Sequence, residues 1–253
     1  MLRNAGRSVF PRALVVGLLV AAVAPLAAAQ DAGNGFLFQQ PRGSFTINGG
    51  YSHATAGGDL FSQVTNQLSL ARSDFSGATI GADLALRIAP RFDVVLSTSY
   101  SGTSTPSNYR ELVDQNNQEI TQVTDFKRVP VMLSLRAYLT PRGREVGKFA
   151  WVPARFAPYV GVGGGAMWYQ FRQNGDFVDY QTNNVFTSDF NSSQWAPAAQ
   201  GLAGMDFTLT PHIALNGEVK YVWANSKLND SFIDFGRIDL SGLSTTIGLT
   251  FGF

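Results

Sequence analysis

The sequence predicts an all-β protein, an eight-stranded antiparallel transmembrane up-and-down β-barrel. Three observations predict it. The last stretch, Leu243 to Phe253, alternates bulky apolar residues with small or polar ones at a period of two, as a strand with one oily face does. Seven earlier stretches repeat that alternation, and the connections between them run long, short, long, longer, long, short, long. Membrane barrels have an even number of strands, short turns on one side and longer loops on the other. The amino terminus, finally, reads as an export signal.

Composition allows this architecture. The chain has 253 residues and no cysteine, and only 15% are charged, where about a quarter is usual for soluble domains. After the first thirty residues no apolar run is long enough for a membrane helix, which needs about 20. Membrane strands hide in such compositions because only alternate residues face lipid. The lack of cysteine excludes a disulfide scaffold and a thiolate metal site.

Arg3, Arg7 and Arg12 precede an apolar core from Ala13 to Leu26, broken by Pro25, and Ala27-Ala28-Ala29 offers a cleavage site before Gln30. The expected organisation is a signal peptide over 1–29, a periplasmic arm over 30–42 and a transmembrane barrel over 43–253. Cleavage removes three arginines and no acid and takes the formal charge from +1 to −2. So weak a balance predicts no nucleic-acid partner.

The first strand sets Phe45, Ile47, Gly49 and Tyr51 on one face and Thr46, Asn48, Gly50 and Ser52 on the other. His53 to Ser76, rich in Gly, Ser and Thr, reads as a long loop. The second strand, about Ala78 to Ile88, turns Ile80, Leu84, Leu86 and Ile88 outward and Asp83 and Arg87 inward. Ala89-Pro90-Arg91 is a tight turn, because proline fixes φ and supplies no strand donor. The third strand runs Phe92 to Tyr100, with Arg87 opposite Asp93 and able to pair with it. Gly102 to Asp125 reads as a second long loop.

The fourth strand, Lys127 to Leu139, has Val129, Val131, Leu133, Leu135 and Leu139 on its oily face and Arg128, Met132, Ser134, Arg136 and Tyr138 on the other. Thr140 to Ala157 is a long basic connection with Trp151 and Phe156, suited to lying on a membrane surface. In the fifth strand, Pro158 to Phe171, the run Gly163-Gly164-Gly165 leaves the parity open and suits a bulge. Gln173 to Gln194 reads as a third loop. The sixth strand, Ala198 to Leu209, points Asp206 inward, and Thr210-Pro211-His212 is a second tight turn. The seventh sets Ile213, Leu215, Val219, Tyr221 and Trp223 against Asn216, Glu218 and Lys220. Asn225 to Gly236 is the fourth loop, and the eighth strand closes the chain.

The inward faces carry Asp83, Asp93, Asp206 and Glu218 against Arg87, Arg128, Arg136 and Lys220. Ionised groups in a narrow interior need partners, so these eight are expected to form a lumen charge network. A soluble barrel would reverse the faces, and their polarity alone does not say which way the barrel is built. The export signal and the terminal phenylalanine decide for the membrane.

Ala157-Pro158-Tyr159-Val160-Gly161-Val162-Gly163, the alternation of the seventh strand and Leu249-Thr250-Phe251-Gly252-Phe253 carry a family resemblance. From about Phe45 to Phe253 the chain resembles the small eight-stranded outer-membrane barrels of the OmpA-, OmpX- and OmpW-like group, and more specifically the broad outer membrane protein beta-barrel domain family. The resemblance implies a monomer in the outer membrane of a Gram-negative-type envelope, with variable surface loops and mostly no assigned reaction. It implies contact with outer-membrane lipid and lipopolysaccharide, and a carboxy-terminal signal at Leu249, Phe251 and Phe253 that the barrel-assembly machinery would read.

Candidate chemistry is sparse. The only histidines are His53 and His212. Barrels of the lipid A deacylase type use a His-Ser pair with an acid, and Ser52-His53-Ala54-Thr55 is the nearest match. Adjacent strand residues face opposite ways, so Ser52 misses His53, and no acid is placed for Thr55. His212 reads as a turn residue. Gly161 to Gly165 is followed by no helix and so lacks a phosphate cradle. Asp176, Asp179 and Asp189 match no EF-hand spacing and read as solvated acids. No catalytic set, metal or cofactor is expected. The leading function is a structural or surface-interaction barrel with its lumen plugged by paired charges. A narrow channel for small solutes, as the OmpW likeness suggests, is second and a lipid-modifying enzyme third. A soluble ligand-binding barrel of lipocalin type is the alternative fold.

Overall fold

The computed structural model describes residues 35–253, apart from 148–149, 180–181, 183, 229–231 and 233–234. The expected signal peptide, 1–29, and the start of the expected arm, 30–34, lie outside the described residues. Among the described residues no helix is long and apolar enough to cross a membrane.

Alternating sequence becomes alternating faces. Eight antiparallel strands close a ring: β1 (Gly43–Ala54), β2 (Gly77–Ala89), β3 (Phe92–Val113), β4 (Glu119–Tyr138), β7 (Phe156–Asp179), β8 (Asn184–Thr210), β9 (Ile213–Lys227) and β11 (Gly242–Gly252). β11 returns to β1, with Ile47 opposite Leu249 and Thr46 opposite Thr250, so the ring has no open edge. Ile80, Val162 and Ile247 on the outer face are 62%, 68% and 61% exposed, while Asp83, Arg128, Arg136 and Glu218 on the inner face are buried. Oily residues outside and charges inside are the arrangement of a membrane barrel and the reverse of a soluble one.

Two expected loops are largely strand, and a third begins as one. β3, β4, β7 and β8 are 22, 20, 24 and 27 residues long, whereas about 9–11 cross a membrane. Two hairpins therefore rise beyond the ring and replace most of the loops expected over 102–125 and 173–194. Asp114 makes the first hairpin's tip by accepting the N–H groups of Asn116 and Gln118 at 2.8 and 2.7 Å. The stretch 225–236 begins as strand, since β9 runs to Lys227, and β10 (Arg237–Asp239) folds back onto it. Beyond the oily band both faces of a strand carry polar residues, so the alternation that marks membrane strands fades there.

The loop expected over 53–76 is also corrected. β1 runs through Ala54, α1 (Asp59–Gln67) follows, and a 3-10 turn covers Arg72–Phe75. α1 buries Leu60, Phe61 and Val64. The Phe61 ring meets those of Phe75, Phe126 and Phe171 at 4.8, 5.4 and 5.8 Å between centroids, and Phe171 meets Phe232 at 5.4 Å. Ile238 and Leu240 complete this apolar core, which sits inside the far end of the ring, away from the carboxy terminus.

The basic connection 140–157 carries a hairpin, β5 (Gly143–Val146) and β6 (Ala150–Pro153). Trp151 is buried and exchanges backbone hydrogen bonds with Leu37 of the arm at 2.8 and 2.7 Å. The expected bulge in the glycine run is absent. β7 pairs without slip from Tyr159 opposite Tyr138 to Gly175 opposite Gln122, so Tyr159, Met167 and Tyr169 share the inner face. Gly163 permits close approach, since a Cβ there would collide with the Ser134 hydroxyl and the Leu133 carbonyl. Pro130, which has no N–H to give, coincides with a gap in the β3–β4 ladder between Thr98–Val131 and Ser101–Arg128.

Candidate functional site: the lumen and its two ends

Inward parity brings four of the eight expected lumen residues into direct ionic contact. Glu218 accepts from Arg136 at 3.1 Å and pairs ionically with Lys220 at 2.9 Å, and Lys220 also reaches Asp83 at 3.4 Å. Two acids thus meet two bases at the middle of the ring. Neutral groups extend the chain in both directions. Asn48 donates to Asp83 at 2.8 Å, and Tyr159 donates to Glu218 at 2.8 Å. Asn216 donates to Tyr159 at 2.8 Å and to Asp206 at 2.7 Å, and Tyr138 donates to Asp206 at 3.0 Å. The Arg136 guanidinium lies 4.2 Å from the Tyr159 ring centroid. Opposite charges in contact offset much of the cost of burial, although Arg136 Nε and Glu218 Oε1 are buried without a hydrogen-bond partner.

The other expected members have different partners. Asp93 lies opposite Arg87 in the β2–β3 register, yet its ion pair is with Arg142 at 2.8 Å. Arg142 comes from the connection before β5, and its guanidinium also stacks 4.5 Å from the Tyr138 ring centroid. Arg87 stands at the near mouth, where the register slips between Arg87 and Ala89. Arg128 sits higher in the lumen, donating to Ser52 Oγ at 2.9 Å and to the carbonyls of Leu240 and Ser241 at 3.2 and 3.3 Å.

Asn48, Asn216, Tyr138 and Tyr159 occupy inward positions of the alternation, and counting formal charges alone passed over them. Arg142 lies outside any barrel strand, and no periodicity marks it.

The near mouth is floored by the β5–β6 hairpin and the arm. A cavity of about 100 Å³ remains there, lined by Arg42, Arg87, Arg142, Asp93, Asp206 and His212 among others. The carboxy-terminal residue is held in place, because the Phe253 carbonyl accepts from the amides of Arg42 and Gly43 at 2.8 and 2.9 Å. Leu249 and Phe253 are exposed on the outer face and Phe251 is half-buried. At the far end a cavity of about 190 Å³ lies between α1 and the β7–β8 hairpin, lined by Val64, Phe177, Phe190, Phe232 and four glutamines.

His53 Nδ1 lies 3.2 Å from Ser76 Oγ, a serine that sequence spacing did not suggest; Ser52 turns inward instead. Ser76 Oγ also accepts the Ala54 N–H at 3.0 Å, and among the described residues no carboxylate pairs with His53. His212 Nδ1 stands 3.4 Å from the Gly252 carbonyl. Asp176 accepts from Thr187 at 2.6 Å and Asp179 from Thr182 at 2.7 Å. Asp189 takes a two-pronged pair from Arg172 at 2.7 and 2.5 Å, and those hydrogen bonds hold its carboxyl below the usual carboxylate range. Among the described residues no group of three or more His, Cys, Asp or Glu is placed to hold a metal ion.

The sequence profile of the family described as outer membrane protein beta-barrel domain matches residues 14–252. Among solved structures, the chain is similar to the outer membrane protein OprG from Pseudomonas aeruginosa at 18% identity, covering 86% of this chain and 99% of that one, with a TM-score of 0.48. Neisserial surface protein A gives 13% identity, 85% and 99% coverage and a TM-score of 0.44. The Escherichia coli outer membrane protein W gives 15%, 85% and 100%, and 0.39. No curated protein matches the sequence.

Proposed function

The chain belongs to the outer membrane protein beta-barrel domain family, and from that premise we propose that it is a closed barrel whose role is carried by the surface it raises above the membrane. One observation supports closure above the others. The string from Asn48 through Asp83, Lys220, Glu218, Tyr159 and Asn216 to Asp206 runs across the lumen in consecutive bonds of 2.7 to 3.4 Å. An eight-stranded interior is just wide enough for side chains to fill. The apolar core at the far end and the hairpin at the near end add further obstruction.

The long hairpins and α1 are then a rigid platform for recognition. Lipopolysaccharide in the surrounding leaflet is its nearest partner, and the barrel-assembly machinery reads Leu249, Phe251 and Phe253 during insertion. No reaction is assigned to the Ser76–His53 pair.

The platform is tested by shortening both hairpins, joining Thr105 to Thr124 and Gln173 to Phe190, which face each other in the ladders. Inserted full-length and shortened barrels are compared for binding of lipopolysaccharide. Loss of binding by a shortened barrel that still runs as a folded species in unheated gels supports the reading. Equal binding by the two overturns it.

A further inference from the structure

The rim at the near end of the ring is basic on its outer side. The connection 140–157 holds Arg142, Arg144, Lys148 and Arg155 against a single acid, Glu145. Arg142 turns inward to Asp93. Arg155 turns outward. Its guanidinium lies 5.5 Å from the Phe207 ring centroid, and that ring stands 5.1 Å from the ring of exposed Phe156. Arg91 is exposed in the turn between β2 and β3.

Two backbone hydrogen bonds place these arginines in one sector of the rim. The Arg91 carbonyl accepts the Tyr138 N–H at the end of β4 at 2.8 Å, and the Pro158 carbonyl of β7 accepts the Leu139 N–H at 2.9 Å. The end of β4 therefore lies between Arg91 and Arg155. The outer surface beside them is apolar, with Phe92, Leu139, Phe156 and Leu209 all exposed. Among the described residues neither arginine has a carboxylate within ion-pair distance. The acids on the adjoining strands face inward, Asp93 to Arg142 and Asp206 to Tyr138 and Asn216.

Lipid headgroups begin where an oily outer band ends. An arginine at that level lays its stem on apolar surface and lifts its charge among the headgroups. Its fork of N–H donors matches a phosphate, and basic groups there attract net-negative lipids. We propose that this sector of the near rim, with Arg91 and Arg155 on either side of the end of β4, selects a net-negative phospholipid from the inner leaflet. The guanidiniums take headgroup phosphate, and the acyl chains lie along Leu139, Phe156 and Phe207. The inference rests on the near rim being the periplasmic one. It concerns the opposite end from the lipopolysaccharide platform, and neither that binding nor conduction decides it.

The test places the mature full chain in phosphatidylcholine vesicles with a trace of spin-labelled phosphatidylglycerol or spin-labelled phosphatidylcholine. The motionally restricted fraction of each label, read by electron spin resonance, gives its relative affinity for the barrel surface. Wild type favours phosphatidylglycerol by roughly two- to fourfold; equal affinities overturn the proposal. Exposed charges are screened by salt, so the preference falls toward one between about 0.02 and about 0.5 M sodium chloride. A preference indifferent to salt overturns the proposal. The double variant Arg91→Gln/Arg155→Gln, verified as folded in unheated gels, brings the ratio close to one at low salt, and an unchanged ratio overturns the proposal. Each single substitution lowers the ratio part of the way, which keeps the test decisive if the double variant folds poorly. Arg72→Gln, exposed at the far end, keeps the preference; its loss there would mark net charge rather than this rim and overturn the proposal too.

Discussion

Glu218 joins three lumen side chains, accepting from Arg136 and Tyr159 at 3.1 and 2.8 Å and pairing ionically with Lys220 at 2.9 Å. Glu218→Ala leaves two buried cations short of a partner. It is expected to cost about 3–5 kcal/mol, the loss seen when one member of a buried pair is removed, measured by urea unfolding in detergent. Asp189 is the contrasting case. It is bonded to Arg172 but about half exposed, so water and salt screen the pair. Its folded carboxyl sits below the usual range because Arg172 donates to it. The small stability it adds is therefore complete at neutral pH and is lost as pH falls through that lowered value. Unfolding of wild type and Asp189→Asn across an acid pH series should converge at low pH; a gap that widens on acidification would contradict this. Charged residues at inward parity were legible from the sequence, but their partners were not. Arg87 does lie opposite Asp93 in the ladder, but the folded-back connection delivers a second guanidinium, Arg142, and that one makes the ion pair.

Elements were legible where lipid imposes alternation and hard to read where water replaces it. The turns at Pro90 and Pro211 and the face of each membrane strand follow directly from a period of two. The raised parts of β3, β4, β7 and β8 looked like loops because their outer faces turn polar. Their inner faces still alternate, with Ile120, Gln122, Thr124 and Phe126 all buried. That single-faced periodicity, in residues suited to strands, was the available signal. α1 was missed because glycine, serine and threonine surround a short run whose apolar residues, Leu60, Phe61 and Val64, meet their partners only in the tertiary structure. Phe61→Ala removes the centre of the aromatic cluster and is expected to cost about 3–5 kcal/mol within the cap. Proteolysis should then cut between 54 and 77 while the folded barrel band persists in unheated gels; protection equal to wild type would contradict that packing. Gly163→Leu forces a side chain against Ser134 and the β4 backbone. It is expected to abolish or strongly slow folding into detergent, read as loss of the same band.

At the scale of the whole molecule, the alternating pattern fixes a barrel but not which face is outside. Burial decides that: charges are buried inward and aliphatic side chains are bare outward. The remaining question is whether the interior passes solutes. A charged lumen by itself suits a water-filled pore, and a lumen whose charges pair with one another suits a closed one. Here Arg136, Glu218, Lys220 and Asp83 bond in sequence across the middle, and an apolar core lies beyond them. The most direct measurement is conductance of the purified mature chain in a planar bilayer, with folding and insertion verified, beside Glu218→Ala and Arg136→Ala. A closed barrel gives a silent wild type. Stable, reproducible current steps from wild type, altered in size by either lumen substitution, would contradict closure and make the protein a channel.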